Sequence, residues 1–301
     1  MKVRFIDCGP NIRDHWLAIK PSYPVPVDVN TEQSPTDLAG LLTGYDVCIT
    51  DHTRLDAALL EGCSPTLKHI VYFGTGAASV VDLPVAERLG IQVHTIRNYG
   101  DRTVAEHTIA LLMAAARQIG AQHASLRAGR WLKLPGIELK GKTLGIVGLG
   151  AIGREVASIG SALGLDVLGW SRKGQEGPHW RSVPLDTLLA EADIVTLHLA
   201  LNEHTHHFLN TARFAQMKPG AMLVNTARGA LVDEHALLAA LRSGAVGHAA
   251  LDVFEHEPLA ADSVWVDAPN VTLTAHCGYW TTSATRNQVR MVLDIVSKIN
   301  A

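Results

Sequence analysis

The chain has 301 residues, 47% of them hydrophobic, 18% charged and 5% aromatic, with a formal net charge of -3. That length suits two domains with a sizeable core. The charge offers no bulk positive field to draw nucleic acid or an anionic lipid surface, and neither is expected as a partner.

The N-terminus, Met1-Lys2-Val3-Arg4-Phe5-Ile6-Asp7, reads as a first β-strand and lacks the layout of a signal peptide. No apolar run reaches the roughly 18 residues that span a bilayer. Cys8, Cys48, Cys63 and Cys277 lie far apart without Cys-x-x-Cys spacing, and the expectation is a reduced, cytoplasmic protein.

Short β-branched runs alternate with helix-period segments, the rhythm of βαβ units and parallel sheets. Strands are predicted at Val3–Asp7, Val47–Thr50, Ile70–Phe73 and Val93–Ile96, with helices at Leu38–Leu42, Leu55–Leu60 and Pro84–Leu89. The stretch from Val104 to Ala128 has no proline and one glycine, Gly120, and predicts a single long helix. Later strands are predicted at Thr143–Val147, Val167–Trp170, Ile194–Leu197, Met222–Asn225, Ala249–Val253 and Val271–Thr274, six as a dinucleotide-binding sheet requires. Ala284 to Ile299 reads as a last helix that packs back onto the first domain.

Gly145-Ile146-Val147-Gly148-Leu149-Gly150-Ala151-Ile152-Gly153 places Gly-x-Gly-x-x-Gly between an apolar strand and a helix. Gly148 permits the tight turn, Gly150 lets the backbone approach a pyrophosphate, and Gly153 lets helix and sheet close together. The helix N-terminus at Ala151 and Ile152 offers amide donors to the anion. The acid that usually follows about 20 residues on, for a ribose 2′-hydroxyl, is missing. The second strand instead ends Trp170-Ser171-Arg172-Lys173, a serine and two cations that suit a 2′-phosphate. NADP(H) is therefore expected in preference to NAD(H).

Three charged groups sit at or just after late strands: Arg228, Glu257 and His276. Carboxyl ends of parallel strands form the ligand crevice, so residues far apart in sequence converge there. Histidine is the natural proton donor near neutral pH, a carboxylate steadies its imidazolium, and arginine binds a substrate carboxylate and polarises its carbonyl. Such a set suits hydride reduction of a small 2-oxo acid. His204-Thr205-His206-His207 reads as a solvated loop without carboxylate or cysteine partners at ligand spacing, and no metal is expected. Cys277 beside His276 reads as packing, because adjacent strand residues face opposite sides.

From about Gly74 to Gly278 the chain resembles the D-isomer-specific 2-hydroxyacid dehydrogenase family. The resemblance rests on residues 141–153, Met217-Lys218-Pro219-Gly220 through Asn225-Thr226-Ala227-Arg228-Gly229, Ala250-Leu251-Asp252-Val253-Phe254-Glu255-His256-Glu257-Pro258, and Val104-Ala105-Glu106-His107. It implies catalytic roles for Arg228, Glu257 and His276, with Glu257 favoured over Glu255. It also implies that Asp252 holds the nicotinamide amide, that Thr103 lies near the cofactor, and that the Gly74-Thr75-Gly76 loop binds the substrate carboxylate. The implied fold is α/β, with two doubly wound parallel-sheet domains and a Rossmann cofactor domain inserted in a flavodoxin-like substrate domain. The expected boundaries are residues 1–96 and 281–301 for the substrate domain, and 97–280 for the cofactor domain. A homodimer through the long helix is implied as well.

The chain departs from the family pattern at Ala275-His276-Cys277-Gly278, where proline usually precedes the histidine, and at Ala77-Ala78 after the loop. Its Trp170-Ser171-Arg172 ending is similar to that of NADPH-using glyoxylate and hydroxypyruvate reductases. A cofactor-binding corepressor and a formate- or phosphite-type dehydrogenase stand as alternatives.

Overall fold

The computed structural model describes residues 1–63 and 65–300. The first sheet is built from β1 (Val3–Phe5), β2 (Asp28–Val29), β3 (Val47–Thr50), β4 (His69–Tyr72) and β5 (Gln92–Thr95), all parallel, in the order β2-β1-β3-β4-β5. The alternation of side chains along a strand sorts the core onto its two faces. Phe5, Val47, Ile49 and Val71 join one cluster, and Ile6, Cys48 and Ile70 join the other.

Helices α1 (Pro10–Ile19), α2 (Leu38–Leu42), α3 (Ala57–Cys63) and α4 (Leu83–Arg88) connect these strands. Ile12 and Trp16 of α1 cover the first face, together with Val289, Val292, Leu293 and Val296 of the C-terminal helix. Each of those four is fully buried, a contribution of about 1.5–3 kcal/mol apiece. This is why the C-terminus belongs with the first hundred residues. The chain divides into Met1–Gly100 with Trp280–Ala301, and Asp101–Tyr279.

The second unit opens with α5 (Asp101–Ala116) and α6 (Ile119–Arg127). The single helix that the sequence predicts from Val104 to Ala128 is thus two. Gln118 adopts a left-handed φ of 51°, and the Ala116 carbonyl accepts from the Ile137 amide at 2.9 Å. The Gln118 side chain donates to the Pro135 carbonyl at 2.7 Å. The 130s segment thereby satisfies the Ala116 carbonyl, which a continuing helix would have used, and accepts from the Gln118 side chain in turn. Apolar periodicity carries no trace of such a partner.

There follow β6 (Thr143–Val147), α7 (Ala151–Ala162), β7 (Asp166–Trp170), β8 (Arg181–Ser182), α8 (Leu185–Glu191) and β9 (Ile194–Leu197). After these come α9 (Thr211–Gln216), β10 (Ala221–Asn225), α10 (Glu234–Ser243), β11 (Val246–Leu251) and β12 (Val271–Leu273), and α11 (Thr282–Asn300) is the C-terminal helix. The sheet order is β12-β11-β10-β9-β6-β7-β8, again parallel, with the order reversing at β6. α5 and α7 cover one face through Ala105, Ile109, Leu112, Val156 and Ala157. α8, α9 and α10 cover the other through Leu188, Phe214 and Leu237. Two doubly wound parallel sheets are the fold class expected from the sequence. Among the described residues, no helix is long and apolar enough to cross a membrane.

Candidate active site

The turn between β6 and α7 lies where the strand order reverses, the position at which such sheets bind ligands. Its three glycines serve different ends. A Cβ on Gly148, whose φ is 106°, would meet the His198 carbonyl oxygen at 2.4 Å, and one on Gly153 would meet the Gly148 oxygen at 2.0 Å. The protein's own packing demands both. A Cβ on Gly150 would meet nothing within 4 Å, so the opening there is not one the chain needs for itself. No side chain caps the helix that begins at Ala151 and Ile152. Bare amides at a helix N-terminus beside an open backbone suit a pyrophosphate. The residues present fit a dinucleotide.

At the end of β7, Ser171 is partly buried and its Oγ accepts from the Gln175 amide at 3.4 Å. Arg172 and Lys173 are exposed and, among the described residues, make no hydrogen bond or ion pair. Two cations without protein partners stand beside the strand that follows the phosphate turn. Thr103 lies in the first turn of α5.

Arg228, Glu257 and His276 follow β10, β11 and β12, three adjacent strands. His276 Nδ1 donates to Glu257 Oε2 at 2.6 Å, and their side chains are 39% and 32% exposed. Desolvation raises the Glu257 carboxyl, but the bonds from His276 and the Phe254 amide, with the charges of His276 and Arg228, outweigh it and hold it below its usual value. Arg228 is exposed and donates through Nη1 to the Ala227 carbonyl at 2.7 Å. With Nδ1 bound to the carboxylate, Nε2 is the nitrogen of His276 left to face a substrate. Tyr279 meets the His276 ring edge-on, with centroids 6.0 Å apart.

Asp252 lies beneath this arrangement, 1% exposed. Its Oδ1 accepts from Thr274 Oγ1 at 2.6 Å and the Cys277 amide at 3.0 Å, and its Oδ2 from the Gly278 amide at 2.9 Å. His107 Nε2 stands 3.3 Å from Oδ1. Burial raises the Asp252 carboxyl, yet these donors prevail and bring it down to about 2. The carbonyl of Asp252 also receives the His276 amide at 2.7 Å, so one residue fixes a turn in which His276 holds a left-handed φ of 49°. Cys277 faces Asp252, with Sγ 3.7 Å from Oδ1.

Three contacts escaped the sequence reading. Asn225 accepts the Ala227 amide at 3.0 Å and donates to the Arg228 carbonyl at 2.9 Å, shaping the Arg228 loop. His107 belongs to a motif that the sequence marks, but its contact with Asp252 joins positions 145 residues apart in a way no spacing encodes. Glu255 comes within 3.5 Å of His207 Nε2, supplying the carboxylate that the histidine-rich loop lacks along the chain.

The Gly74-Thr75-Gly76 loop belongs to the other unit. Thr75 Oγ1 donates to the Ile96 carbonyl at 3.2 Å, and the Gly76 carbonyl accepts from Ser79. The amides of Gly74, Thr75 and Gly76 donate to no group among the described residues.

Residues 109–278 match the sequence family described as D-isomer specific 2-hydroxyacid dehydrogenase, NAD binding domain. The chain is similar to a D-3-phosphoglycerate dehydrogenase of Archaeoglobus fulgidus, at 37% identity over 90% of its own length and 53% of that protein. It thus spans about half the length of that relative. A hydroxypyruvate reductase of Thermotoga maritima is also 37% identical, with 91% of this chain and 90% of the relative aligned. Among solved structures, an acyclic imino acid reductase in complex with NADPH and D-Arg superposes with a TM-score of 0.86 at 28% identity, covering 100% of this chain and 97% of the other.

Proposed function

This chain belongs to the D-isomer specific 2-hydroxyacid dehydrogenase family of enzymes, and from that premise we propose that it transfers a hydride between NADP(H) and the C2 position of a small 2-oxo or 2-hydroxy acid. The preferred substrates are glyoxylate and hydroxypyruvate, the latter by analogy with the hydroxypyruvate reductase relative. The observation that carries the reading is the 2.6 Å bond from His276 Nδ1 to Glu257, which orients the ring while Arg228 adds its charge nearby.

In the reducing direction, the Arg228 guanidinium pairs with the substrate carboxylate and polarises the adjacent carbonyl. His276 gives the proton on Nε2 to the carbonyl oxygen as C2 gains the hydride. Glu257 stabilises the imidazolium beforehand and keeps the ring in place afterwards. The nicotinamide, when bound, supplies the hydride. Asp252 is assigned the nicotinamide amide, Thr103 a place near the cofactor, and the free amides of residues 74–76 the substrate carboxylate.

Preference for NADP(H) rests on the absence of an acid at the end of β7 and on Arg172 and Lys173 having no partners among the described residues. Ser171 adds a hydroxyl to that anion site. The four free cysteines, three of them buried, agree with the reducing cytoplasm that we assign.

The experiment is a steady-state screen of glyoxylate, hydroxypyruvate, pyruvate, formate and phosphite with both cofactors. The expected result is the highest kcat/KM for glyoxylate or hydroxypyruvate with NADPH. Turnover of formate or phosphite alone would replace this reading with its dehydrogenase alternative, and no turnover of any would favour the corepressor.

A further inference from the structure

His206 and His207 follow β9 and Glu255 follows β11, outside the set of residues that the reaction uses. Consecutive side chains of an extended segment point to opposite sides. Here His207 holds a left-handed φ of 47°, uncommon for a residue with a Cβ, and the two imidazoles come to lie against each other with centroids 4.0 Å apart and planes 30° apart. The backbone enforces this: the His207 amide donates to the Ala230 carbonyl at 2.8 Å, and the His206 amide to the Asn202 carbonyl at 2.9 Å.

His207 Nε2 is shut off from solvent and makes no hydrogen bond among the described residues. Glu255 Oε1 lies 3.5 Å from it. The Glu255 amide is held by Glu234 Oε1 at 3.0 Å, which steadies the carboxylate's own segment. One ligand atom from each of His206, His207 and Glu255 can be chosen so that all three lie within 4.8 Å of one another. An ion bonded at about 2.0–2.1 Å in tetrahedral geometry needs donors roughly 3.3 Å apart. The His207–Glu255 spacing is already close to that, and His206 is exposed and free to complete the set.

We propose that His206, His207 and Glu255 form a binding site for one divalent transition-metal ion of the zinc class, joining the loop after β9 to the turn after β11. Two imidazoles and a single carboxylate select such a cation over magnesium or calcium, which take sets of oxygen donors. Three protein ligands leave a fourth position for water. The unbonded Nε2 of His207 gains a partner, and the negative charge of Glu255 is neutralised without ordering any new segment.

The test uses the full chain, stripped with chelator, freed of any histidine tag and dialysed against zinc ion alone. Bound metal is counted by elemental analysis, and affinity is read by titration calorimetry. Wild-type protein is expected to retain a zinc ion that both His207→Asn and Glu255→Gln lose, their affinity falling by about tenfold or more. Asparagine tolerates the left-handed backbone at position 207, so circular dichroism should show both variants folded. Zinc should also raise the wild-type melting temperature and leave that of the variants unmoved. Equal retention by wild type and variants, or no retention at all, overturns the site. Zinc that is lost instead on Cys277→Ser also overturns it, and assigns the metal to His107, Asp252 and Cys277, whose ligand atoms likewise lie within 4.8 Å of one another.

Discussion

His276 has its Nδ1 committed to Glu257 and its backbone amide committed to Asp252, and the chemistry proposed for it depends on both. The proposed set of Arg228, Glu257 and His276 could be picked out in one dimension because each is a residue of reactive type after a late strand, and the fold brings His276 against Glu257. Its supports could not be picked out so. Asn225 and His107 do their positioning through contacts with residues that only the fold brings near. Recognition of the cofactor's 2′ end likewise rests on single side chains. Among the described residues Arg172 has no partner to retain it, so Arg172→Ala should leave stability untouched. A charge-assisted bond to phosphate contributes about 1.5–3 kcal/mol, which puts the rise in KM for NADPH at roughly tenfold or more, with kinetics for NADH little changed. Equal losses with both cofactors, measured by initial rates, would show that Arg172 does not read the phosphate.

Among the elements, the turn from β6 into α7 separates what folding needs from what binding needs. Gly153→Ala would place a Cβ 2.0 Å from the Gly148 oxygen, and should lower stability by about 1–3 kcal/mol in a thermal melt. Gly150→Ala meets open space at an ordinary negative φ of -71°, so it should melt like the wild type while binding NADPH much more weakly. Identical melts for the two variants, or unimpaired NADPH binding by Gly150→Ala, would contradict this division. The strands and the glycine turn were readable from periodicity and spacing. β2 and β8, of two residues each, are too short to carry a period, and the break between α5 and α6 depends on the distant 130s segment.

For the whole molecule, two units each bury their own apolar clusters, and the C-terminal helix joins the first unit through Val289, Val292, Leu293 and Val296. What remains exposed in the second unit is telling. Ile119, Leu126, Trp131, Leu132 and Ile137 lie on α6 and the segment after it, and Trp131 is 81% exposed. A run of large apolar side chains held in water marks an interface. The homodimer that the family resemblance implies would cover it with a second copy of the chain. Light scattering should find a dimer that Trp131→Glu weakens toward monomer; a wild-type monomer at assay concentrations would exclude it.

The proposed reaction stands on the proton carried by His276. The most direct test is pre-steady-state reduction of glyoxylate and hydroxypyruvate by His276→Asn, alongside NADPH binding by fluorescence titration. Turnover should fall by about 10²–10⁴-fold, the range that general acid catalysis contributes, while cofactor affinity and circular dichroism stay as in the wild type. Near-normal turnover by that variant would contradict the assignment of His276 as the acid.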